Sequence, residues 1–497
     1  MDHVQEFCQN PVAAQEALLK QLISRAKDTE WGRHHGYGDI ETIEDFRKSV
    51  PISNYETLYP WIERCIKGES DMLWPGTISW FSKSSGTTND KSKYIPVTPE
   101  ALDACHYAAG QDMIAMYLEH KPDSRLFTGK TLSIGGSHNI HKLNHYARYG
   151  DVSAVLLENL PTFYELMRTP SKSVALMEHW EEKIEAMARE VIQEDVTSMV
   201  GVPTWTMVLI NKMFEITGNK DRNLLDIWPN LELYVHGGVS FEPYRAEFQR
   251  IIPSSRMTYL DCYNASEGFF AVQDDPSNPA MLLLLDYGVY YEFLPMEHYG
   301  EENPPTHTLA QVEVGRNYAV VISTNAGLWR YLIGDTIQFT ETSPYRIRIT
   351  GRTRHFINAF GEELMVDNAE RAIAEACAQT QAQVSNYTAA PIYFEGSNKG
   401  GHEWLVEFTQ PPADVQEFAT IMDLTLQRLN SDYEAKRRSD LALLFPTFRV
   451  MPAGTFHHWM KLRGKLGGQH KVPRLANNRE YVESILNLTK DMPSSFS

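Results

Sequence analysis

Apolar and polar positions along this chain of 497 residues follow two successive patterns. Residues 11–27 and 100–118 carry apolar side chains at helical spacing. Beyond them, short apolar runs that predict buried strands alternate with stretches that predict helices. These runs lie at 131–136, 198–202, 231–235 and 257–260. Alternation of this kind favours a largely parallel α/β sheet.

The pattern changes after Met281, where predicted strands follow one another closely. They lie at 281–285, 289–294, 310–314, 318–324, 335–339 and 346–350. This spacing predicts an antiparallel, barrel-like region attached to the α/β core. Beyond Gly351 the predicted order of helix, strand, strand, helix, strand and helix is typical of a compact α+β unit. We therefore predict a large N-terminal α/β domain over residues 1–350 and a small, mobile α+β domain over 351–497.

Composition and charge restrict the partners. The hydrophobic fraction of 42% and the charged fraction of 22% are ordinary for a soluble globular protein. A net charge of −18 argues against nucleic acid and against an anionic membrane surface. The 5 cysteines are scattered singly, and the first residues lack the order of a signal peptide. We expect a cytoplasmic monomer with reduced thiols that contacts neither nucleic acid nor membrane.

The stretch 84–96 is the most informative candidate for chemistry. It combines hydroxyl side chains, Gly86 and two lysines, and it follows an apolar run that predicts a strand. Hydroxyls and backbone N–H groups donate to phosphate oxygens, and a glycine lets the main chain approach them. By composition alone the stretch is equally typical of a polar surface loop. It is not a Walker A sequence, and the chain contains no G-x-G-x-x-G.

Three further clusters follow predicted strands or lie near the C-terminus. Glu267, in the turn after 257–260, can reach a Mg²⁺ ion that bridges phosphates. Asp335 follows a glycine turn and can accept both hydroxyls of a ribose. The basic, glycine-rich stretch 465–474 can bring a lysine to a phosphate. Each cluster alone is also compatible with an ordinary solvated turn or loop.

Together, in this order and over nearly the whole chain, these clusters resemble the GH3 family of acyl-acid amido synthetases. That family belongs to the adenylate-forming superfamily, with acyl-CoA synthetases and luciferase. The resemblance implies Glu267 as the Mg²⁺ partner, Lys471 as a catalytic lysine, and a nucleotide site formed by Ser84, Ser85, Gly86, Thr87, Thr88, Lys93, Gly237, Gly238, Tyr263, Ser266, Asp335 and Arg352. Within that set, Gly237 and Gly238 would lie beside adenine, and Asp335 and Arg352 near the ribose.

The resemblance implies a reaction in two steps. A carboxylic acid attacks ATP to give an acyl-adenylate, and an amine, taken to be an amino acid, then displaces AMP to form an amide. ATP and Mg²⁺ are the implied cofactors, and the large domain would bind ATP and the acyl substrate. Two alternatives stay open: transfer of the acyl group to CoA or another thiol, and a non-catalytic ligand sensor on the same fold.

Some positions are less defined. Leu332 stands where the family pattern often has arginine, so that Arg330 or Arg352 would have to replace it in any phosphate contact. Tyr107 and His236 are candidates for the acyl pocket, although an aromatic side chain at helical spacing is more often part of a core. The histidines at 138, 141 and 145 have a spacing that permits a zinc site, but no acidic or cysteine partner lies nearby.

Overall fold

The computed structural model describes residues 2–84, 93–135, 140–177, 180–239, 241–353, 356–393, 399–440, 442–463 and 472–490. No helix in this part of the chain has the length and apolar character needed to cross a bilayer.

The helices described are α1 (Asp2–Gln9), α2 (Pro11–Ala26), α3 (Glu30–His34), α4 (Ile43–Ser49), α5 (Tyr55–Ile66), α6 (Pro99–Ala101), α7 (Ala108–His120), α8 (Val152–Glu158), α9 (Thr162–Glu165), α10 (Lys172–Ala175), α11 (Trp180–Val191), α12 (Pro203–Thr217), α13 (Glu242–Ile251), α14 (Val366–Thr380), α15 (Val415–Leu429), α16 (Ser431–Arg437), α17 (Thr455–Leu462) and α18 (Glu480–Lys490). A π-helical segment, Leu102–Tyr107, joins α6 to α7.

The strands described are β1 (Trp80–Ser84), β2 (Lys93–Val97), β3 (Lys130–Ser133), β4 (His141–Lys142), β5 (Arg148–Gly150), β6 (Arg168–Thr169), β7 (Val196–Val200), β8 (Leu233–Gly237), β9 (Thr258–Ala265), β10 (Gly268–Val272), β11 (Met281–Leu283), β12 (Val289–Pro295), β13 (Asn317–Thr324), β14 (Tyr331–Thr342), β15 (Tyr345–Arg352), β16 (Phe356–Ile357), β17 (Leu364–Met365), β18 (Gln383–Ile392), β19 (Gly401–Gln410) and β20 (Thr447–Met451).

The large lobe is built on one sheet in which eleven of the described strands are ordered β12–β13–β14–β15–β11–β10–β9–β8–β7–β3–β6. Strands β6, β3, β7, β8 and β9 pair in parallel, as the alternation of strands and helices predicted. From β9 onward the pairs are antiparallel. The predicted antiparallel region is therefore hydrogen-bonded to the parallel strands as part of the same sheet.

One predicted strand, 310–314, is wrong. Thr308 and Gln311 form a reciprocal capping box, which starts the 3₁₀ turn Leu309–Gln311. Val314 makes only an isolated bridge with Phe339. Local side-chain hydrogen bonds thus override the apolar character of this stretch.

A smaller sheet, ordered β2–β1–β5–β4, carries the hydroxyl-rich stretch. Strands β1 and β2 are antiparallel, with Ser84 opposite Lys93, so the two ends of the segment 85–92 meet at this point. Thr98 then accepts a hydrogen bond from the N–H of Ala101 and caps the helix that follows.

The small lobe has the predicted order of elements. Strands β18, β19 and β20 form its sheet, and α14 and α15 are its longest described helices. The last strand of the large sheet, β15, runs through Gly351 and ends at Arg352. The boundary at Gly351 itself stays a prediction.

The two lobes share a buried apolar cluster. Trp205 and Phe248 of the large lobe belong to the same cluster as Phe360 and Trp404 of the small lobe. The Tyr244 hydroxyl also donates to the carbonyl of Ala359 at 2.6 Å. Burial of apolar surface on both sides of the junction therefore holds the lobes against each other.

A buried ion pair ties the antiparallel strands to the N-terminal helices. The Arg330 guanidinium donates to Glu292 at 2.8 and 3.0 Å and to the carbonyl of Val50 at 2.7 Å. Arg47 also pairs with Glu292, at 3.0 Å. Arg330 adopts a φ of +44°, a left-handed conformation that these bonds hold in place.

We expect Arg330→Met to lower the free energy of unfolding by about 3–5 kcal/mol, because it leaves a buried carboxylate with one cation fewer. Denaturant unfolding of the variant and the wild type measures the difference. Arg316→Met is the matched control, since Arg316 pairs with the exposed Glu297 and Glu313, and it should cost less than about 1 kcal/mol. Equal losses in the two variants would contradict a stabilising role for the Arg330 pair.

Candidate active site

A buried carboxylate on β14 contacts side chains of two other strands of the large sheet, β9 and β15. Asp335 of β14 stands opposite Arg352 of β15 in the strand register. Its Oδ2 accepts a hydrogen bond from the Tyr263 hydroxyl at 2.6 Å, and its Oδ1 lies 2.8 Å from Arg352 Nε. Asp335 is only 8% exposed, so these two donors supply most of what water would give an exposed carboxylate.

Tyr263, Asp335 and Arg352 form a cluster in which neighbouring charges shift the pKa values of Tyr263 and Arg352. Burial alone would lower the pKa of Arg352, but the neighbouring Glu363 and Asp335 raise it above its ordinary value. Burial, followed by the charge of Asp335, raises the pKa of the Tyr263 hydroxyl well above its ordinary value. Tyr263 is therefore a hydrogen-bond donor, and Arg352 a permanent cation.

Glu267 lies in the turn between β9 and β10. The turn is tied to the small sheet, because Ser82 Oγ donates to Ser266 Oγ at 2.9 Å. Although Glu267 keeps some exposure to solvent, burial raises the pKa of its carboxyl to about 7; Lys93 opposes this rise and Asp335 adds to it. The structure thus brings Ser266, Glu267, Lys93 and Asp335 within electrostatic reach of one another.

This donor set fits Mg²⁺ of the kind that bridges phosphates. Carboxylate and hydroxyl oxygens are its preferred protein ligands, and one or two carboxylates suffice when substrate phosphates and water complete the shell. The elevated pKa of Glu267 also fits, since a cation beside the carboxyl would favour its ionised form. Within the described ranges, no group of three or more His, Cys, Asp or Glu side chains could hold a metal by itself.

Lys93 begins strand β2 on the side of Tyr55. Its Nζ lies 6.0 Å from the centroid of the Tyr55 ring. The Tyr55 hydroxyl accepts a hydrogen bond from the N–H of Tyr94 at 2.9 Å, which fixes the ring beside the strand. Ser84, opposite Lys93, places the start of the hydroxyl-rich stretch at the same edge of the site. Ser85, Gly86, Thr87 and Thr88 lie outside the described residues, as does Lys471.

The glycine turn after β8 has a structural reason for both of its glycines. A Cβ on Gly237 would lie 2.5 Å from the carbonyl oxygen of Cys262, and Gly238 has a φ of +78°. The close approach of β8 and β9 accordingly requires Gly237 even without a ligand. His236, one residue earlier, is buried with its ring stacked on Phe241 at 3.9 Å and its Nδ1 3.5 Å from Asp261.

The two arginines that the sequence offered in place of Leu332 have different surroundings. Arg330 donates to Glu292 and to the backbone carbonyls of Arg47 and Val50. Arg352 is in the cluster itself, beside Asp335. Arg352 is therefore the better placed of the two for a phosphate or ribose contact.

The helix that carries Tyr107 also contains a buried histidine next to the Tyr263 strand, which the sequence did not single out. The Tyr107 hydroxyl donates to the carbonyl of Leu156 at 2.7 Å and so serves the fold. Its neighbour His106 is 5% exposed and faces Asn264, next to Tyr263. The apolar face of the helix could have indicated the burial of His106. His106 lies four residues after Leu102 and three before Ala109, and both of these residues are buried.

The histidine spacing that permitted zinc has no support among the described residues. The ring of His141 stacks on Tyr149, with 5.3 Å between the centroids. His145 belongs to the loop before β5, and His138 lies outside the described residues.

Two solved structures share this fold. A solved structure of the GH3.15 acyl acid amido synthetase is 18% identical, covers 97% of this chain and 94% of that chain, and superposes with a TM-score of 0.61. A 2-hydroxyisobutyryl-CoA ligase is 14% identical, with coverage of 97% and 93% and a TM-score of 0.57. At these identities the likeness shows the fold, and the predicted fold class is confirmed.

Sequence comparison gives the family. The models for the GH3 family N-terminal, central and C-terminal domains match residues 1–257, 282–352 and 367–480. The chain belongs to the GH3 family, as its motifs predicted. Among its relatives is the indole-3-acetic acid-amido synthetase GH3.4 of Arabidopsis thaliana, which is 24% identical over 95% of this chain and 90% of that protein.

Burial lowers the pKa of His106 to about 4, and the nearby Asn264 side chain opposes this shift only in part. The folded protein therefore resists a proton that the unfolded chain takes up below pH 6.5. Stability should therefore be lost as the pH falls from 6.5 toward 4. Between about pH 7 and about pH 5, His106→Gln should lose about 2 kcal/mol less than the wild type.

Denaturant unfolding at the two pH values measures this difference. His120→Gln is the control, because His120 is exposed at the end of α7, and it should follow the wild type. If His106→Gln loses as much stability on acidification as the wild type, the residue is not held neutral in the fold.

Proposed function

We propose that this chain is an ATP-dependent acyl-acid amido synthetase, which activates a carboxylic acid as its adenylate and transfers the acyl group to an amino acid. The observation that carries the proposal is the cluster of Tyr263, Asp335 and Arg352 with Glu267 beside it, in a chain of the GH3 family. The names of relatives agree with it, since two of them are indole-3-acetic acid-amido synthetases.

The first step joins two anions. The acid carboxylate attacks the α-phosphorus of ATP, the bond to the bridging oxygen breaks, and pyrophosphate leaves. Asp335 would accept the ribose hydroxyls, while Lys93, Arg352 and the hydroxyls around residues 84–88 would oppose the charge of the phosphates. Glu267 would hold Mg²⁺, which supplies positive charge between phosphate oxygens when bound.

The second step forms the amide. The amine of the acceptor attacks the activated carbonyl, the bond from carbonyl carbon to phosphate oxygen breaks, and AMP leaves with the electron pair. Lys471 would act in the first step, on the negative charge that builds during adenylation.

The small lobe, from Gly351 onward, would rotate between the steps and keep water from the adenylate. Tyr107 and His236 remain proposed for the acyl pocket.

Transfer to CoA is the second candidate, because a CoA ligase shares the fold. Both candidates begin with adenylation, so the cluster around Asp335 is compatible with either. That the protein works as a cytoplasmic monomer, without nucleic acid or membrane, remains a prediction from its charge and its scattered cysteines.

The test incubates the enzyme with ATP, Mg²⁺ and a panel of carboxylic acids, and it follows exchange of labelled pyrophosphate into ATP. The acid that supports exchange is then offered an amino acid mixture or CoA, and the product is identified by mass. An acyl–amino acid product is expected. A thioester alone would favour the second candidate, and no exchange with any acid would favour a sensor.

We expect Asp335→Asn to raise the KM for ATP by about 10–100-fold, because it removes a charged acceptor from the ribose position and weakens the hold on Arg352. Steady-state exchange rates at varied ATP measure the change. Asp274→Asn is the matched control: Asp274 also pairs with an arginine of β15, Arg346, but lies away from the cluster. A KM equal to that of the control would remove Asp335 from the nucleotide site.

Lys471→Ala should lower the rate of adenylation by about 100-fold or more, since the lysine is proposed to act on transition-state charge, while ATP still binds. Pyrophosphate exchange and calorimetric ATP binding are compared in the same preparation. The control is Lys461→Ala, in α17 on the same lobe. Unaltered exchange in Lys471→Ala would exclude this lysine and direct attention to Lys465.

A further inference from the structure

We propose that Glu363 is a positioning residue for the nucleotide: it sets the orientation of Arg352, and its segment connects the small lobe to the glycine turn of the large lobe. The inference rests on the proposed function in that it takes Arg352 to face the nucleotide.

The first observation is that the guanidinium of Arg352 is held by carboxylates at two of its nitrogens. Nε lies 2.8 Å from Asp335 Oδ1, and Nη2 lies 3.2 Å from Glu363 Oε1. A guanidinium is planar, so two fixed nitrogens determine the direction of the third. The contact with Glu363 restricts rotation of the guanidinium about its contact with Asp335.

The second observation is the backbone of Glu363. Its φ is +39°, in the left-handed region that residues other than glycine seldom adopt. Its N–H donates to Asn358 Oδ1 at 3.3 Å, and its carbonyl accepts from Asn430 Nδ2 at 3.2 Å. Bonds on both sides thus hold a strained backbone in place, and such strain is concentrated at functional sites.

The third observation concerns the contacts of Asn358, which lies in the same segment as Glu363. The Asn358 side chain, which accepts from Glu363 through Oδ1, donates through Nδ2 to the carbonyl of Gly238 at 3.0 Å. The backbone N–H of Asn358 donates to Asn477 Oδ1 at 2.6 Å. Asn477 lies just after the basic, glycine-rich stretch 465–474. Residues 358–363 therefore contact Arg352, the glycine turn and the C-terminal stretch at once.

These contacts explain why the orientation of Arg352 depends on the small lobe. Glu363 belongs to the segment after Gly351, whereas Asp335 belongs to the large sheet. In this structure the segment lies against the glycine turn, and both carboxylates contact the guanidinium. A rotation of the small lobe that carries Glu363 away would remove the contact between Glu363 and Arg352.

A merely structural ion pair would give a different result from a positioning residue. Partly exposed pairs contribute little to stability, so their removal changes neither the Tm much nor the affinity for a ligand. A positioning residue changes the affinity for the nucleotide while the Tm stays the same. The test therefore measures the KM for ATP in pyrophosphate exchange, the Kd of AMP by calorimetry, and the Tm.

Glu363→Gln should raise the KM for ATP and the Kd of AMP by about tenfold, the effect of one charge-assisted hydrogen bond, with kcat and Tm close to those of the wild type. Glu363→Gly should weaken binding equally, and its Tm should be unchanged or higher, because glycine accepts a positive φ. Glu375→Gln is the matched control: it removes an exposed pair with Arg428 on the same lobe and should behave as the wild type.

Wild-type affinity in Glu363→Gln or Glu363→Gly would overturn the proposal, as would a lower Tm without a change in affinity. Failure of the proposed function is distinguishable from failure of this inference. If the wild type binds AMP but shows no exchange with any acid, the function is contradicted, and the AMP affinities of the variants still decide the role of Glu363. If the wild type binds no AMP, both are overturned.

Discussion

The charge of one buried carboxylate, Asp335, is the constraint on which the site depends. A carboxylate so little exposed is stable only if donors replace its water, and here the donors are Tyr263 and Arg352. Because these three side chains come from β9, β14 and β15, their bonds fix the relative position of three strands. The same bonds hold a cation and a hydroxyl beside a carboxylate acceptor, the arrangement on which the proposed nucleotide site rests.

The site lies where the lobes meet, so its polar contacts depend on how the lobes pack. The apolar cluster shared by Trp205 and Phe360 holds the lobes together, while polar contacts such as that of Asn358 with Gly238 lie at the edge of the cluster. Apolar contacts tolerate sliding better than hydrogen bonds, which need one geometry. A change of lobe orientation would thus alter the polar contacts around Arg352 first.

The sequence predicted those parts of the structure that depend on local pattern. Most of the strand and helix order in both lobes follows from residues close in sequence. The glycine turn predicted before Asp335 is wrong, because Gly334 and Asp335 both lie inside β14. The rest depends on distant contacts. The residues near Arg330 in the sequence do not indicate that it pairs with the buried Glu292. The contact between Asp335 and Arg352 depends on the register of β14 and β15. His106 lies on an otherwise apolar helix face and was therefore not predicted. The wrong strand at 310–314 has a different cause. The capping box of Thr308 and Gln311 is a local signal, but the apolar residues of the stretch dominated the prediction.

A crystal structure of the protein with AMP tests the central claim most directly. The account predicts that both ribose hydroxyls lie within about 2.6–3.2 Å of the Asp335 carboxylate, with adenine against the turn of Gly237 and Gly238. AMP bound elsewhere, or bound with its ribose turned away from Asp335, would contradict it.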